Sequence, residues 1–412
     1  MKPITLPAIL IFLTSGLAAA DKNDMIVGFL EQGQLAEGRK ALEAGLATGK
    51  NDELQFQLGI VQFFAALEKL EQDWYRFGLH DSIFGELIPF LRLPVPQNPK
   101  PERVTNELGR KAIADFVQRL GEVTDTLAKV GDDGAMKVTL RPGMVRLDLN
   151  GDGKVEEEET LWKIYEKLVP GAPLEHRDVE NFVVKLDLGD VRWLQGYCHL
   201  LAAIGDVFLA HDTERLFQHT APLFFSNADT PFDFLRKRKQ APENSFVPET
   251  TDLIDGITFI HLLNFPVKEP QRMTSALHHL EEVTKLSRAS WKAILAETDD
   301  EHEWIPNPKQ TGVLGNAKVT PEMVQGWFAF LDEVDAILAG KKLLPFWRDA
   351  GGRGINLRRV FTEPKTLDVI LWVQGTAAVP YLEQGAVTSP DFWATTDKIF
   401  RGEFLGFAIW FN

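Results

Sequence analysis

Val191-Arg-Trp193-Leu194-Gln-Gly-Tyr197-Cys198-His199-Leu200-Leu201-Ala-Ala-Ile204 is apolar almost all round. A helix of that kind reads as buried, because it has no polar face to turn to water. Cys198 is the only cysteine of the chain, which excludes an internal disulfide and a multi-cysteine metal site and makes it a core thiol. A nucleophilic pair with His199 is set aside, since neighbours in sequence on a helix point apart.

Outward from this stretch the pattern stays helical. Met273, Leu277, Leu280, Val283, Trp291, Ile294 and Leu295 repeat at helical spacing, and so do Met323, Val324, Trp327, Phe328, Leu331, Val334, Ile337 and Leu338. Thr320-Pro321 and Ser389-Pro390 put a capping hydroxyl before proline at the first helical position, a start signal for each helix that follows. Near the N-terminus, Met25 to Leu46 and Leu54 to Leu70 predict an antiparallel helix pair joined at Ala47 to Asp52. Gly33 to Leu46, followed by Leu58-Gly59, resembles tetratricopeptide helices weakly: the aromatic and proline positions of that repeat are not met and no second full period follows, so generic helix packing is the expectation. Leu93-Pro94-Val-Pro96-Gln-Asn-Pro99-Lys-Pro101 separates this pair from a helix expected at about 104–130. The resulting organisation is an N-terminal helix pair over 21–92, a helical region over 102–210, and a C-terminal helical domain over 249–412. The final apolar run, 404–412, is expected to pack on that domain.

One segment carries nameable chemistry. Asp148-Leu-Asn150-Gly-Asp152-Gly153-Lys154-Val-Glu156-Glu-Glu-Glu159 places oxygen donors at positions 1, 3, 5, 7, 9 and 12 of a twelve-residue loop, with glycine at position 6 for the sharp turn. It resembles the EF-hand. The resemblance implies a calcium ion held by the side chains of Asp148, Asn150 and Asp152, the carbonyl of Lys154, Glu156 often through water, and both oxygens of Glu159. It covers the loop and the helix after it, where Leu161, Ile164, Tyr165 and Leu168 predict an amphipathic exit helix. It departs from the family before the loop, because Pro142 and Gly143 argue against an ordinary entering helix and that half is expected to be extended. No second loop of this kind follows; Asp132-Asp133-Gly134 lacks the later ligands and is expected to turn the chain into Met136-Lys-Val138-Thr-Leu140, a β-prone run that could pair with Lys154-Val155-Glu156. The expected fold is therefore mostly α: a multi-helix array with one EF-hand-like calcium loop and short β segments beside it.

Lys2, the apolar stretch Ile4 to Leu17 and Ala18-Ala19-Ala20 read as a signal peptide, 1–20, cleaved before Asp21. No later stretch is long and apolar enough to span a bilayer, so no integral membrane segment is expected after cleavage and the expected location is periplasmic or secreted. The net charge of −15 argues against nucleic acid and anionic membranes as partners. The basic run Arg236-Lys-Arg-Lys239 reads as a solvated loop or helix end.

Catalytic signatures are missing: there is no His-Glu-x-x-His, no Gly-x-Ser-x-Gly and no phosphate-loop lysine motif. Gly351-Gly352-Arg353-Gly354 reads as a turn, and His278-His279-Leu-Glu281-Glu282 as partly exposed helix surface. Glu297-Thr-Asp299-Asp300-Glu301-His302-Glu303-Trp304 is the strongest enzymatic candidate, yet the same residues describe a charged loop pinned by one tryptophan. The first expectation is a calcium-binding protein of the cell envelope or extracellular space that binds an unknown protein or envelope partner as a scaffold module; the alternative is a calcium-stabilised extracytoplasmic hydrolase with an acidic/His site near 297–304.

Overall fold

The computed structural model describes residues 22–80, 96–132, 136–168, 179, 181–236, 251–313, 318–348, 351–401, 404 and 407–408. The stretch expected to be a signal peptide (1–20), the end of the basic run (237–239) and the end of the chain (409–412) lie outside these residues, as do Leu93 to Val95 of the proline break and Asp133-Gly134.

The chain is mostly helical, as the periodicity predicts. Lys22–Glu31 (α1), Leu35–Leu46 (α2) and Asp52–Arg76 (α3) open it. The continuous helix expected from Met25 to Leu46 is divided because Gly33 adopts φ +65° and closes α1: Gln34 N donates to Phe29 O at 2.8 Å and Gly33 N to Leu30 O at 3.3 Å, the paired bonds of a Schellman ending. Asn106–Leu127 (α4) starts at Thr105, whose hydroxyl accepts from Leu108 N at 3.1 Å.

Val138–Leu140 (β1) does not pair with Lys154-Val155-Glu156. Its partner is Val184–Leu186 (β2), antiparallel, with Val138 opposite Leu186 and Leu140 opposite Val184. The physical reason lies in Val155, whose side chain occupies the space above the left-handed Gly33, so that the 154–156 segment is drawn to the α1–α2 corner. Leu161–Leu168 (α5) follows the loop, with Trp162 and Ile164 as its buried side and Tyr165 exposed, a face shifted from the expected one.

Leu188–Ala210 (α6) is the helix that the opening sequence stretch foretold, and it packs against both α4 and Pro270–Ile294 (α9). Glycine and alanine permit the approach: a Cβ on Gly189 would stand 2.6 Å from the Ile294 side chain. The helix is not buried all round, since Ile204 is 37 % exposed and Asp190, Gln195 and Asp206 are buried instead. Each of these three has a partner, as burial of polar groups requires: Asp190 Oδ2 accepts from Asp187 N (2.9 Å), Gln195 Nε2 donates to Thr124 O (3.3 Å), and Asp206 Oδ1 accepts from Arg272 Nη1 (2.7 Å). At its C-terminus the buried Arg110 of α4 donates to the carbonyls of Leu209 and His211, both at 2.6 Å, and to Glu269 Oε1 at 2.8 Å.

Between these two long helices lie Glu214–Thr220 (α7), Thr251–His261 (α8) and Asn264–Phe265 (β3). Pro321–Leu338 (α10) follows, capped by Thr320 as predicted, with Thr320 Oγ1 accepting from Met323 N at 3.2 Å. Leu344–Pro345 (β4), Arg353–Ile355 (β5), Leu357–Thr362 (α11), Leu367–Asp368 (β6), Val369–Gln374 (α12), Leu382–Gln384 (β7) and Pro390–Ile399 (α13) complete the order. The sheets are small and antiparallel: β3 with β6, and β5 between β4 and β7. Gly351-Gly352 turns into β5, and the neighbouring Arg358 and Arg359 are already committed to Glu281 and to Glu363 and Glu383. Among the described residues no helix is long and apolar enough to cross a membrane.

The largest core gathers α1 to α4, β1, β2, the segment leading into the acidic loop and one face of α6. A second, aromatic core collects Trp291, Trp327, Phe400 and Phe407 from α9, α10 and the residues around the end of α13. Leu295, expected on the apolar face of α9, is 44 % exposed just beyond its last turn.

Candidate metal centre

The segment before the acidic loop is extended, as Pro142-Gly143 foretold. Val145, Leu147 and Leu149 are buried in alternation, the period of a strand, after a single 3-10 turn at Pro142–Met144. This arm is fixed to α1: Arg146 N donates to Leu30 O at 3.0 Å, and Arg141 grips Glu31 with Nε at 2.7 Å and Nη2 at 2.6 Å. The two ends of the loop are held together by an antiparallel bridge between Arg146 and Thr160, in which Leu147 N donates to Glu159 O at 3.1 Å and Leu161 N to Val145 O at 2.8 Å.

Inside that clamp the carboxylates organise the backbone. Asp148 Oδ1 accepts from Gly151 N (2.7 Å) and Asp152 N (3.2 Å), and its Oδ2 from Gly153 N (2.9 Å). Asn150 Oδ1 accepts from Asp152 N and Asp152 Oδ1 from Lys154 N, each at 2.8 Å. Gly151 and Gly153 take φ +73° and +78°, so both positions need glycine's freedom. Glu159 is 3 % exposed and spans the loop: Oε1 accepts from Leu149 N at 3.0 Å and Oε2 from Glu156 N at 2.9 Å. It sits in a 3-10 turn, Glu157–Glu159, and Thr160 is extended before α5 begins. The sequence motif thus comes together spatially, with Asp148, Asn150, Asp152, Lys154, Glu156 and Glu159 in one closed turn of chain.

Two residues of α3, 80 and 76 positions away, hold this turn from below: Glu68 Oε2 accepts from Asp148 N at 2.8 Å, and Gln72 Nε2 donates to Asp148 O at 2.8 Å. Nothing local in the sequence announces them. Burial pushes the Glu68 carboxyl up to about 7, with the charges of Asp148 and Glu159 adding to the rise. Glu159 is likewise raised, first by burial and then by the neighbouring charges of Asp148 and Asp152. Among the described residues neither Asp148, Asp152, Glu156 nor Glu159 pairs with a lysine or arginine. A carboxylate offers about four lone-pair sites and the loop amides use only part of them, so the donor set suits a hard cation that prefers six to eight oxygens. Beside the loop runs an open groove lined by Lys69, Gln72, Tyr75, Arg76, Asn150 and Gly151.

The acidic/His segment is the charged loop pinned by one tryptophan that the sequence describes. Asp300, Glu301 and His302 are exposed. Glu301 and Asp299 are taken up in ion pairs with Lys137 and, for Glu301, with Lys185 at 2.7 Å. Trp304 meets Trp193 edge to face at 6.1 Å. What the sequence did not disclose is that Glu297 and Glu303 meet Asp187, the cap of α6, with carboxylate oxygens within 4.8 Å of one another. Asp187 Oδ1 accepts from Gly189 N at 2.8 Å, and Asp190 answers with the reciprocal bond of a capping box. Asp187-Leu-Gly-Asp190 is a local signal of the cap alone, not of its meeting with Glu297 and Glu303. Burial and the Asp187 charge push Glu297 up to about 9, so its carboxyl carries the proton it shares with Asp187.

Compared with known families, with curated proteins and with solved structures, the chain matches none.

Proposed function

We propose that this chain is an exported calcium-binding protein of the cell envelope or extracellular space, in which the ion stabilises a binding or scaffold module. The observation that carries the reading is the buried Glu159, raised by the charges of Asp148 and Asp152 and, among the described residues, paired with no lysine or arginine. Ionising that carboxylate next to two others is costly, and a divalent cation reverses the cost. Asp148, Asn150, Asp152 and Glu159 would hold the ion through side chains, Lys154 through its carbonyl and Glu156 directly or through water.

The surroundings favour a structural ion over a switch. Calcium sensors open one helix against another, whereas the arm entering this loop is an extended segment bonded to α1 and bridged to Thr160. The ion would also order Asn150 and Gly151, one wall of the groove along α3, which supports a binding role. The leader-like N-terminal sequence supports export.

Chelation tests the reading. Removing calcium is expected to lower the melting temperature, because an ion at a hundredfold excess over its dissociation constant stabilises the folded chain by about 2.7 kcal/mol. Equal melting curves in calcium and in chelator would sink it.

A hydrolase reading retains one supporting observation, the Asp187, Glu297 and Glu303 group, in which a protonated carboxyl stands beside other carboxyls as acid and base catalysts do. Its test is hydrolysis of generic ester, glycoside and peptide substrates by wild type and Glu297→Gln; activity in the first that is lost in the second would favour it.

A further inference from the structure

The helix face 278–282 contains more than the sequence reading allows. His279 of α9 turns inward and meets His199 of α6, with the two Nδ1 atoms 2.7 Å apart and the ring planes inclined at 47°. Both rings are half-buried. The other ring nitrogen of His279, Nε2, faces the buried Asp206, 3.7 Å from Oδ2, and Asp206 is itself held by Arg272. Glu282, one helical turn on from His279, is half-buried and already paired, 3.0 and 3.2 Å from Lys285 Nζ. Cys198 points elsewhere, into the core.

We propose that His199 and His279 form a second metal site, for a borderline transition-metal ion such as Zn2+, with water completing the shell. Two neutral imidazoles facing each other through the same ring nitrogen share one Nδ1 proton; when the donor ring passes that proton through solvent to its own Nε2, both Nδ1 lone pairs are free to take one metal ion. At metal–nitrogen distances of about 2.0–2.1 Å, tetrahedral geometry sets the two nitrogens about 3.3 Å apart, so the rings part by a fraction of an ångström. Metal on Nδ1 leaves the Nε2 proton to point at Asp206, the carboxylate–histidine–metal arrangement that fixes the tautomer of a ligating ring. Imidazole donors select zinc-like ions, whereas the all-oxygen loop at 148–159 suits calcium, so the two sites are chemically separate.

The experiment uses tag-free, calcium-saturated full chain titrated with Zn2+ by calorimetry and with Co2+ by visible absorption. One ion per chain with the ligand-field bands of a four-coordinate nitrogen–oxygen site is expected. His199→Gln and His279→Gln are each expected to weaken binding tenfold or more, and Asp206→Asn, which touches no metal, by about 10–100-fold. No uptake by the wild type, or uptake equal in the His199→Gln and His279→Gln chains, overturns the proposal. Should those variants fold poorly, wild-type protein decides by itself: Zn2+ must protect His199 and His279 from diethyl pyrocarbonate, and modification of both at unchanged rates overturns it.

Discussion

Glu159 and Gly33 show how much hangs on single positions. Glu159 joins the two halves of the acidic loop through Leu149 N and Glu156 N, and its ionised form is opposed by burial. Glu159→Ala is therefore expected to remove most of the calcium-dependent rise in melting temperature, while the calcium-free melting temperature changes far less; differential scanning fluorimetry with and without chelator measures both. Gly33 is a backbone matter. A side chain there would sit in the left-handed region at φ +65°, and its Cβ would meet Val155 at 2.4 Å. Left-handed backbone alone costs an ordinary residue about 1–2 kcal/mol, so Gly33→Ala is expected to lose at least that in chemical denaturation. A neutral effect would mean that the α1–α2 corner and the 154–156 segment do not meet as described.

Among the elements, the junction of α6 and α9 titrates. Glu297 is raised to about 9 by burial first and by Asp187 second, and Asp190 is raised in the same direction. A carboxyl whose folded pKa lies above its unfolded value binds its proton more tightly in the native state, so the stability it contributes is complete below about 4.5 and is lost as pH rises toward about 9. The groups facing it are Asp187, Asp190, Asp299, Glu303 and Gln310, with Lys137 and Lys185 beyond them. The melting temperature is expected to fall between pH 5 and pH 9, and Glu297→Gln, which keeps the neutral form, is expected to flatten that fall. A slope unchanged by the substitution would refute the shared proton. The contrast in legibility is instructive at this scale. Thr320-Pro321 announced the start of α10 because a cap is a local contract between a hydroxyl and an amide three residues on. The partner of β1 was not legible, since β-pairing is decided by what else competes for the strand, here Val155 drawn to Gly33. His278-His279 told of a helix surface, but only the packing of α6 on α9 could say that His279 faces His199.

Across the whole molecule, α6 lines the largest core and, through Trp193, borders the aromatic core, which is built on Trp327. That residue is 2 % exposed, donates from Nε1 to Ser287 Oγ at 2.9 Å and meets Phe330, Phe400, Phe404 and Phe407. Trp327→Ala is expected to cost about 3–5 kcal/mol, read by chemical denaturation; a loss under 1 kcal/mol would contradict the packing described. The helical class and the acidic loop were readable because periodicity and ligand spacing are properties of short windows. Glu68 and Gln72, which support the loop from 80 and 76 residues away, and Asp187, which completes the carboxyl group with Glu297 and Glu303, became visible only when the chain closed on itself.

Calcium binding by the loop from Asp148 to Glu159, and stabilisation of the fold by that ion, is the proposal on which the functional reading rests. Isothermal titration of calcium into metal-free protein tests it most directly, with Glu159→Ala and magnesium as controls. Heat from one calcium per chain at this loop is expected, with weak binding of magnesium, which demands a smaller octahedral shell, and loss of the calcium signal in the variant. Absence of calcium binding by the wild-type chain, or binding that Glu159→Ala leaves untouched, would contradict it.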